Sequence, residues 1–253
     1  MSYETIKYSS DDRGVALLTL SRPEKHNAIN EKMMLEITAV CSLINKDDNI
    51  RVVVLGAQGK TFCAGGDLNW MKDQMQADRA GKIEQAKVLA NMLLCLDTLQ
   101  KPLIGCVKGN AFGGGIGMMA VCDIVIANDD LKFALTETKL GLIPATIGPF
   151  VLRRMGEAFA RQVFFTAKTF STDFAFRAGL VSQICDNEKM DEALENEVLA
   201  ILKTQPKAVA SAKILLQNLR PNIAQEEIDM SINALANCWE TEEAQVQITK
   251  FLD

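Results

Sequence analysis

The sequence predicts an α/β protein: strands alternating with helices, followed by a helical C-terminal region. Three observations predict it. Short apolar runs of buried-strand type recur as "RVVVLGA", "LIGCVKG" and "DIVIAND". Segments with apolar residues at helical spacing lie between them. From about residue 188 onward only helical patterns remain.

The elements follow in chain order. "ETIKYSS" and "VALLTL" flank Asp11-Asp12-Arg13-Gly14 and read as a hairpin. "INEKMMLEITAVCSLIN" has helical spacing through Met33, Met34, Ile37, Val40, Cys41 and Ile44. "RVVVLGA" is a buried strand, and a loop holding "GKTFCAGGD" follows. A helix is expected over about residues 82–100, ended by Lys101-Pro102. Then come the strand "LIGCVKG", the glycine stretch "GNAFGGGIG", a short apolar helix to Cys122, the strand "DIVIAND" and the shorter strand "KFAL". From Gly148 the pattern is mostly helical, with "LVSQIC" a late strand. Four helical segments close the chain: "EKMDEALENEVLAILKT", "PKAVASAKILLQNL", "AQEEIDMSINALANCWE" and "EEAQVQITKFLD". They are too few and short to enclose much core alone, so they dock on the core or on a neighbouring subunit.

Composition excludes several function classes. The chain has 253 residues, enough to bury a core without staples, and 48% of them are hydrophobic. The net charge is −5, which disfavours nucleic acid and anionic membranes as partners. No charge-free apolar stretch spans a bilayer and no apolar leader opens the chain, so a cytoplasmic protein is expected. The seven cysteines form no C-x-x-C pair and His26 is the lone histidine, so no metal site is expected. The cysteines read as buried free thiols.

Two phosphate-binding motifs fail on spacing. "GKT" at Gly59–Thr61 would need a glycine where Val54 stands. Gly115-Ile116-Gly117-Met118-Met119-Ala120 matches G-x-G-x-x-A, but barely two helical turns fit before the next strand. A better reading pairs two glycine loops, "FCAGGD" and "AFGGGIG", each after a buried strand. Their backbone N–H groups are unobstructed by side chains, and the second loop opens a helix. Two such donors on one oxygen make an oxyanion hole, which suits a carbonyl becoming an enolate. The alternative is two tight turns that only pack closely.

Together the segments "RPEKHNAIN", "VVVLGAQGKTFCAGGDL", "KPLIGCVKGNAFGGGIGMMAVCDIVIA", "FALTETKLGLIP" and "RAGLVSQI" resemble the enoyl-CoA hydratase/isomerase, or crotonase, superfamily over nearly the whole chain. The resemblance implies a crotonase-like spiral of ββα units over residues 1–187, forming the acyl-CoA-binding core. A helical oligomerisation region over 188–253 would then build a homotrimer or a homohexamer. It implies an acyl-CoA thioester substrate, with coenzyme A as part of that substrate and no separate cofactor. Mapped onto these motifs, the oxyanion-hole amides belong to Gly66 and Gly114.

Family hydratases commonly carry two glutamates. One lies in F-x-x-x-E before L-G-x-x-P, which here is Phe133 to Glu137 followed by Leu140, Gly141 and Pro144. The other stands two residues after the glycine triplet, where this chain has Gly117. A lone glutamate suffices for a Δ3,Δ2-enoyl-CoA isomerase, which moves one proton from Cα to Cγ. The detailed likeness of "GGGIG" and "FALTETKLGLIPATIGPFVLRRM" is instead to bacterial hydratases of branched 2-enoyl-CoAs such as 3-methylglutaconyl-CoA or isohexenylglutaconyl-CoA. Hydratase is therefore the leading expectation and isomerase the alternative, with Glu137 the acid/base in both.

The resemblance also places substrate-binding residues. Ala64 would line the adenine or pantetheine path, and Lys25 and Lys60 are candidates to meet CoA phosphates, the alternative for each being a solvated surface charge. Asp67 is expected to cap the helix after "CAGG". Asp123 is expected to hold a turn, and His26 to be structural or near the CoA head. Arg153 or Arg154 could pair with a glutaconyl carboxylate, with helix-surface charges the favoured alternative. The sequence ends at Asp253 without the basic tail by which many family members touch a neighbour's CoA.

Overall fold

The computed structural model describes residues 3–220 and 223–252. Met1, Ser2 and Asp253, which entered the readings of the two chain ends, lie outside the described residues. The chain opens with the expected hairpin, β1 (Ile6–Ser10) and β2 (Val15–Leu20), paired antiparallel. Asp11 closes its turn by accepting hydrogen bonds from the N–H groups of Arg13 and Val15. Helix α1 (Glu31–Lys46) starts where the Asn30 side chain accepts from Met33 N–H. It buries the six apolar positions that its spacing predicts.

Three ββα units follow. They comprise β3 (Val52–Ala57), β4 (Thr61–Cys63) and the helices α2 (Leu68–Gln76) and α3 (Arg79–Asp97); β5 (Leu103–Val107), β6 (Asn110–Phe112) and α4 (Gly114–Ala120); and β7 (Ile124–Asn128), β8 (Lys132–Ala134) and α5 (Gly148–Thr166). The first strand of each unit joins one sheet and the second strand joins another. The larger sheet runs β1-β2-β3-β5-β7-β10, closed by β10 (Gln183–Cys185). The smaller runs β4-β6-β8-β9, where β9 (Phe170–Ser171) leads into α6 (Thr172–Arg177). All pairings are parallel except β1 with β2 and β8 with β9. The chain thus winds as a spiral, stepping one strand along both sheets per unit.

The central strands β3, β5 and β7 of the large sheet are buried on both faces, as their apolar runs require. Val53, Leu55, Leu103 and Val107 face the main core with α1, α3 and α4. Their neighbours Val52, Val54, Ile104 and Cys106 face α7 (Met190–Leu202) through Met190, Ala193 and Val198. Each of the fully buried Val, Leu, Ile and Met side chains here contributes about 1.5–3 kcal/mol by leaving water. The C-terminal helices pack back on this same chain. In α9 (Gln225–Trp239), Ile228 and Ile232 cover Ala86 and Ala90 of α3. In α10 (Glu242–Leu252), Ala244 and Ile248 join Met71, Leu142 and Trp239. Helix α8 (Pro206–Leu219) is held by Lys213, which donates to Asp123 and to the Lys101 carbonyl, while Ile214, Leu215, Leu216 and Leu219 stay exposed. Asp123 also accepts from Leu103 N–H, so it ties the helix-to-strand turn to the start of β5.

Two expectations change. The segment read as a loop after "RVVVLGA" contains β4, and β6 and β9 were likewise not expected; these strands have two or three residues, too few for a periodic pattern. The helix expected over 82–100 begins at Arg79, capped by Asp78, and ends at Asp97. The helix expected after "CAGG" forms as α2, with Asp67 as its cap. All seven cysteines are free. Burial pushes the thiols of Cys41, Cys63 and Cys122 up to about 12, so they are inert. Among the described residues no helix is long and apolar enough to cross a membrane. No group of three or more His, Cys, Asp or Glu among them could hold a metal ion.

Candidate active site

The small sheet builds the site. Its first three strands, β4, β6 and β8, are parallel neighbours. Gly66 follows Cys63 by three residues, Gly114 follows Phe112 by two, and Glu137 follows Ala134 by three. Adjacent strands lie about 4.8 Å apart, so their ends deliver these three residues side by side. All three line one cleft of about 530 Å³, within the range of small-molecule sites.

Close backbone approach makes the site. Gly113 has φ +48° and ψ −117°, a conformation that L side chains rarely adopt. A Cβ there would lie 3.1 Å from Glu137 Oε1 and 3.6 Å from Gly65 Cα, so both glycine loops and the carboxylate meet at this point. At Gly115 a Cβ would stand 2.8 Å from Cys63 Cβ, which would force α4 away from β4.

Gly66 is held by an isolated parallel bridge to Ile29. Ile29 N–H donates to Gly65 C=O and Asp67 N–H donates to Ile29 C=O, which leaves Gly66 N–H outside the ladder. Gly114 is the first residue of α4, where N–H groups have no intrahelical acceptor. Among the described residues neither amide has an acceptor. Both residues line the cleft, and their amides are free to donate.

Glu137 opens a 3-10 turn that ends at Leu140. Its Oε2 is buried without a hydrogen-bond partner. Burial pushes its carboxyl up to about 7, partly offset by its own backbone N–H. A carboxylate with that affinity can both accept and return a proton near neutral pH. The other acids on the cleft wall are Glu24, which is exposed, and Asp67.

Asp67 is occupied structurally. It caps α2 by accepting from Asn69 and Trp70 N–H, and Arg22 Nη2 donates to it at 2.8 Å. Burial opposes its ionisation, but Arg22 and the two amides outweigh that and hold its carboxyl below the ordinary range. Arg22 and Asn27 brace the loop from the other side. Asn27 donates to the carbonyls of Gln58 and Thr61, and Arg22 to that of Ala28.

Ala64, Lys25 and His26 line the cleft as well. Lys25 is exposed, and His26 Nδ1 lies 3.2 Å from Thr61 Oγ1. Lys60 is exposed and does not line this cleft. Arg153 and Arg154 are a correction: they are not available to a substrate carboxylate here. Arg153 is paired with Asp97 at 2.6 Å, and Arg154 donates to the carbonyls of Gly179 and Cys122, outside the cleft lining.

Sequence reasoning missed the apolar wall and one polar group. Trp70, Trp239 and Phe251 enter the lining from α2, α9 and α10, elements far apart in sequence. Thr146, in the turn before α5, lines it too, and its Oγ1 is buried without a partner. No local pattern marks any of these.

Comparison with known proteins agrees with this geometry. The family model described as enoyl-CoA hydratase/isomerase matches residues 10–253. The short-chain-enoyl-CoA hydratase of Clostridium acetobutylicum is 31% identical over 244 residues, covering 94% of this chain and 91% of that protein. The crotonyl-CoA hydratase of Syntrophomonas wolfei is 28% identical over 257 residues, covering 100% of this chain and 96% of that protein. The crystal structure of an enoyl-CoA hydratase from Shewanella pealeana superposes with TM-score 0.83 at 36% identity, covering 98% of this chain and 93% of that one. With its two-sheet spiral, its free amides and this match over nearly its whole length, the chain belongs to the enoyl-CoA hydratase/isomerase family and has the crotonase fold.

Proposed function

We infer that the protein is an enoyl-CoA hydratase that adds water across the double bond of a 2-enoyl-CoA. One observation carries this reading: the partnerless amides of Gly66 and Gly114 and the buried carboxylate of Glu137 share one cleft. The thioester oxygen takes both amides. Charge that develops there as water adds at Cβ is stabilised by roughly 3–4 kcal/mol per donor. Glu137 takes the proton from water and supplies one to Cα. The residues and the substrate's own thioester carry every step, so the reading calls on no separate cofactor.

On the wall, Ala64 lies along the CoA path and Lys25 is positioned for its phosphates. The sequence resemblance supports a branched acyl group such as 3-methylglutaconyl, while the named relatives act on crotonyl or other short chains. The exposed apolar side chains of α8 support an assembled state, a homotrimer or a homohexamer.

A fall in conjugated enoyl-thioester absorbance on adding the enzyme tests the activity, over a panel of crotonyl-CoA and branched 2-enoyl-CoAs. No fall with any of them overturns the reading. Glu137→Gln should collapse turnover with substrate affinity nearly unchanged. A Δ3,Δ2-enoyl-CoA isomerase is the second reading, favoured by Glu137 being the one acid of the wall that is neither exposed nor capping a helix. It requires absorbance to rise from a 3-enoyl-CoA without oxygen from water entering the product.

A further inference from the structure

Two side-chain atoms on the cleft wall are buried with no hydrogen-bond partner among the described residues: Glu137 Oε2 and Thr146 Oγ1. Thr146 is itself 4% exposed. A buried hydroxyl without a partner destabilises the fold, so such a group calls for a ligand atom that satisfies it. The mechanism above uses the carboxylate and leaves the hydroxyl unexplained.

The two groups ride on turns that pack against successive turns of α4. Glu137 Oε1 lies against Gly113, just before the helix. Ile147, next to Thr146, lies over Gly117, where a Cβ would be 2.7 Å from its Cγ2. Gly113 and Gly117 are one helical turn apart, about 6 Å. Thr146 is therefore the chain neighbour of the residue that a side chain at position 117 would meet. Position 117 carries no carboxylate in this chain, and the cleft-lining residue next to Ile147 carries a hydroxyl.

We propose that Thr146 Oγ1 is the second polar group that holds the reacting water, with Glu137 as the first. This rests on the hydratase reading and deepens it. One carboxylate can take a proton from water but leaves its direction of attack free. An ordered water needs two to four polar partners, and a hydroxyl can donate to it or accept from it. The step balances without net proton transfer through threonine. The water oxygen forms the bond to Cβ, and the π pair moves onto the thioester as an enolate held by the Gly66 and Gly114 amides. The water proton passes to Glu137. Glu137 then returns a proton to Cα as the enolate collapses to the hydroxyacyl thioester.

The test compares Thr146→Val, Thr146→Ser and Glu137→Gln in two reactions of the intact enzyme. One is hydration of an enoyl-CoA that the native enzyme turns over. The other is exchange of the Cα protons of butyryl-CoA in deuterium oxide, which needs the base and the amides but no attacking water. Thr146→Val is expected to lower the kcat of hydration about 10- to 100-fold with KM within about twofold, and to leave exchange near native. Thr146→Ser is expected to retain hydration within about threefold.

Hydration by Thr146→Val at the native rate overturns the proposal. So does a parallel loss of both reactions in that variant, which marks a merely structural role. Glu137→Gln should abolish both reactions; if it still hydrates, the base assignment fails independently of Thr146. A native enzyme that exchanges Cα protons but hydrates none of the panel overturns the hydratase reading and this proposal together.

Discussion

Ile147 stands over Gly117: a Cβ built on the glycine would lie 2.7 Å from Ile147 Cγ2, 3.1 Å from its Cβ and 3.6 Å from Leu93 Cδ1. A glutamate at position 117 is thus excluded by packing as well as by sequence. Gly117→Glu alone overpacks a buried site and buries a carboxylate, so it should cost about 3 kcal/mol or more and lower the melting temperature. Ile147 is the N-cap of α5, a position that tolerates glycine. Gly117→Glu with Ile147→Gly should therefore recover part of that stability and hydrate crotonyl-CoA faster than Ile147→Gly alone. Thermal melts and initial rates of the three variants check this. A double variant as unstable as Gly117→Glu would refute it.

The carboxyl of Glu137 gives the enzyme a pH signature. Burial raises it to about 7 from an ordinary 4.5. Between these values the native state holds the proton more tightly than the unfolded chain, so stability falls as pH rises and stays lower above about pH 7. Glu137→Gln removes this dependence. Its stability relative to the native protein should be greater at pH 8 than at pH 5 by roughly 2–3 kcal/mol, read from urea unfolding at one protomer concentration. Hydration needs the ionised form to take the proton from water, so kcat/KM should rise with pH and level off above about 7. A flat profile from pH 5 to 8 would place the base elsewhere.

The Arg22–Asp67 pair carries the loop that presents the Gly66 amide. Its side chains are only 14% and 8% exposed, and Asp67 is also the N-cap of α2. Asp67→Ala removes the cap and leaves Arg22 without its charge partner, for an expected loss of about 3 kcal/mol. Asp67→Asn keeps a cap acceptor and should lose less. The Asp67 carboxyl is held below its ordinary value. Its contribution is therefore present above the ordinary carboxylate range and is lost as pH falls through the lowered value. Urea unfolding at neutral and acidic pH checks both the order of the variants and this direction.

The main sheet was legible because Val52–Leu55 and Leu103–Val107 are unbroken apolar runs between turn residues. The small sheet was legible only at β8, which "KFAL" announces. Cys63 and Phe112 end strands of only three residues, fixed by their neighbours rather than by any local pattern. Gly66, Gly114 and Glu137 stood out nonetheless, because each ends an ordered motif that repeats the family's spacing. Thr146 and Ile147 lie in a stretch that carries the family likeness, but the sequence assigned neither a role. Their meaning arises only when the turn before α5 folds onto α4, a contact across some thirty positions. Arg153 misled for a related reason: its Asp97 partner comes from α3 and cannot be paired with it by spacing.

The Gly114 amide can be deleted without unwinding α4. Proline is well tolerated at the first position of a helix, where its missing N–H had no helical acceptor. Gly114 occupies that position, and the preceding residue is Gly113, whose backbone already lies outside the ordinary regions. The obstacle is Ile29, whose Cδ1 would lie 2.6 Å from a Cβ at 114. Ile29→Val removes that methyl at a cost of about 1 kcal/mol. In the Ile29→Val background, Gly114→Pro should keep the fold by circular dichroism and lower kcat about 10²–10³-fold, the effect of losing one oxyanion donor. Gly114→Ala in the same background keeps the N–H and should retain most of the rate. If the proline variant turns over as fast as the alanine variant, the thioester oxygen is held by some group other than this amide.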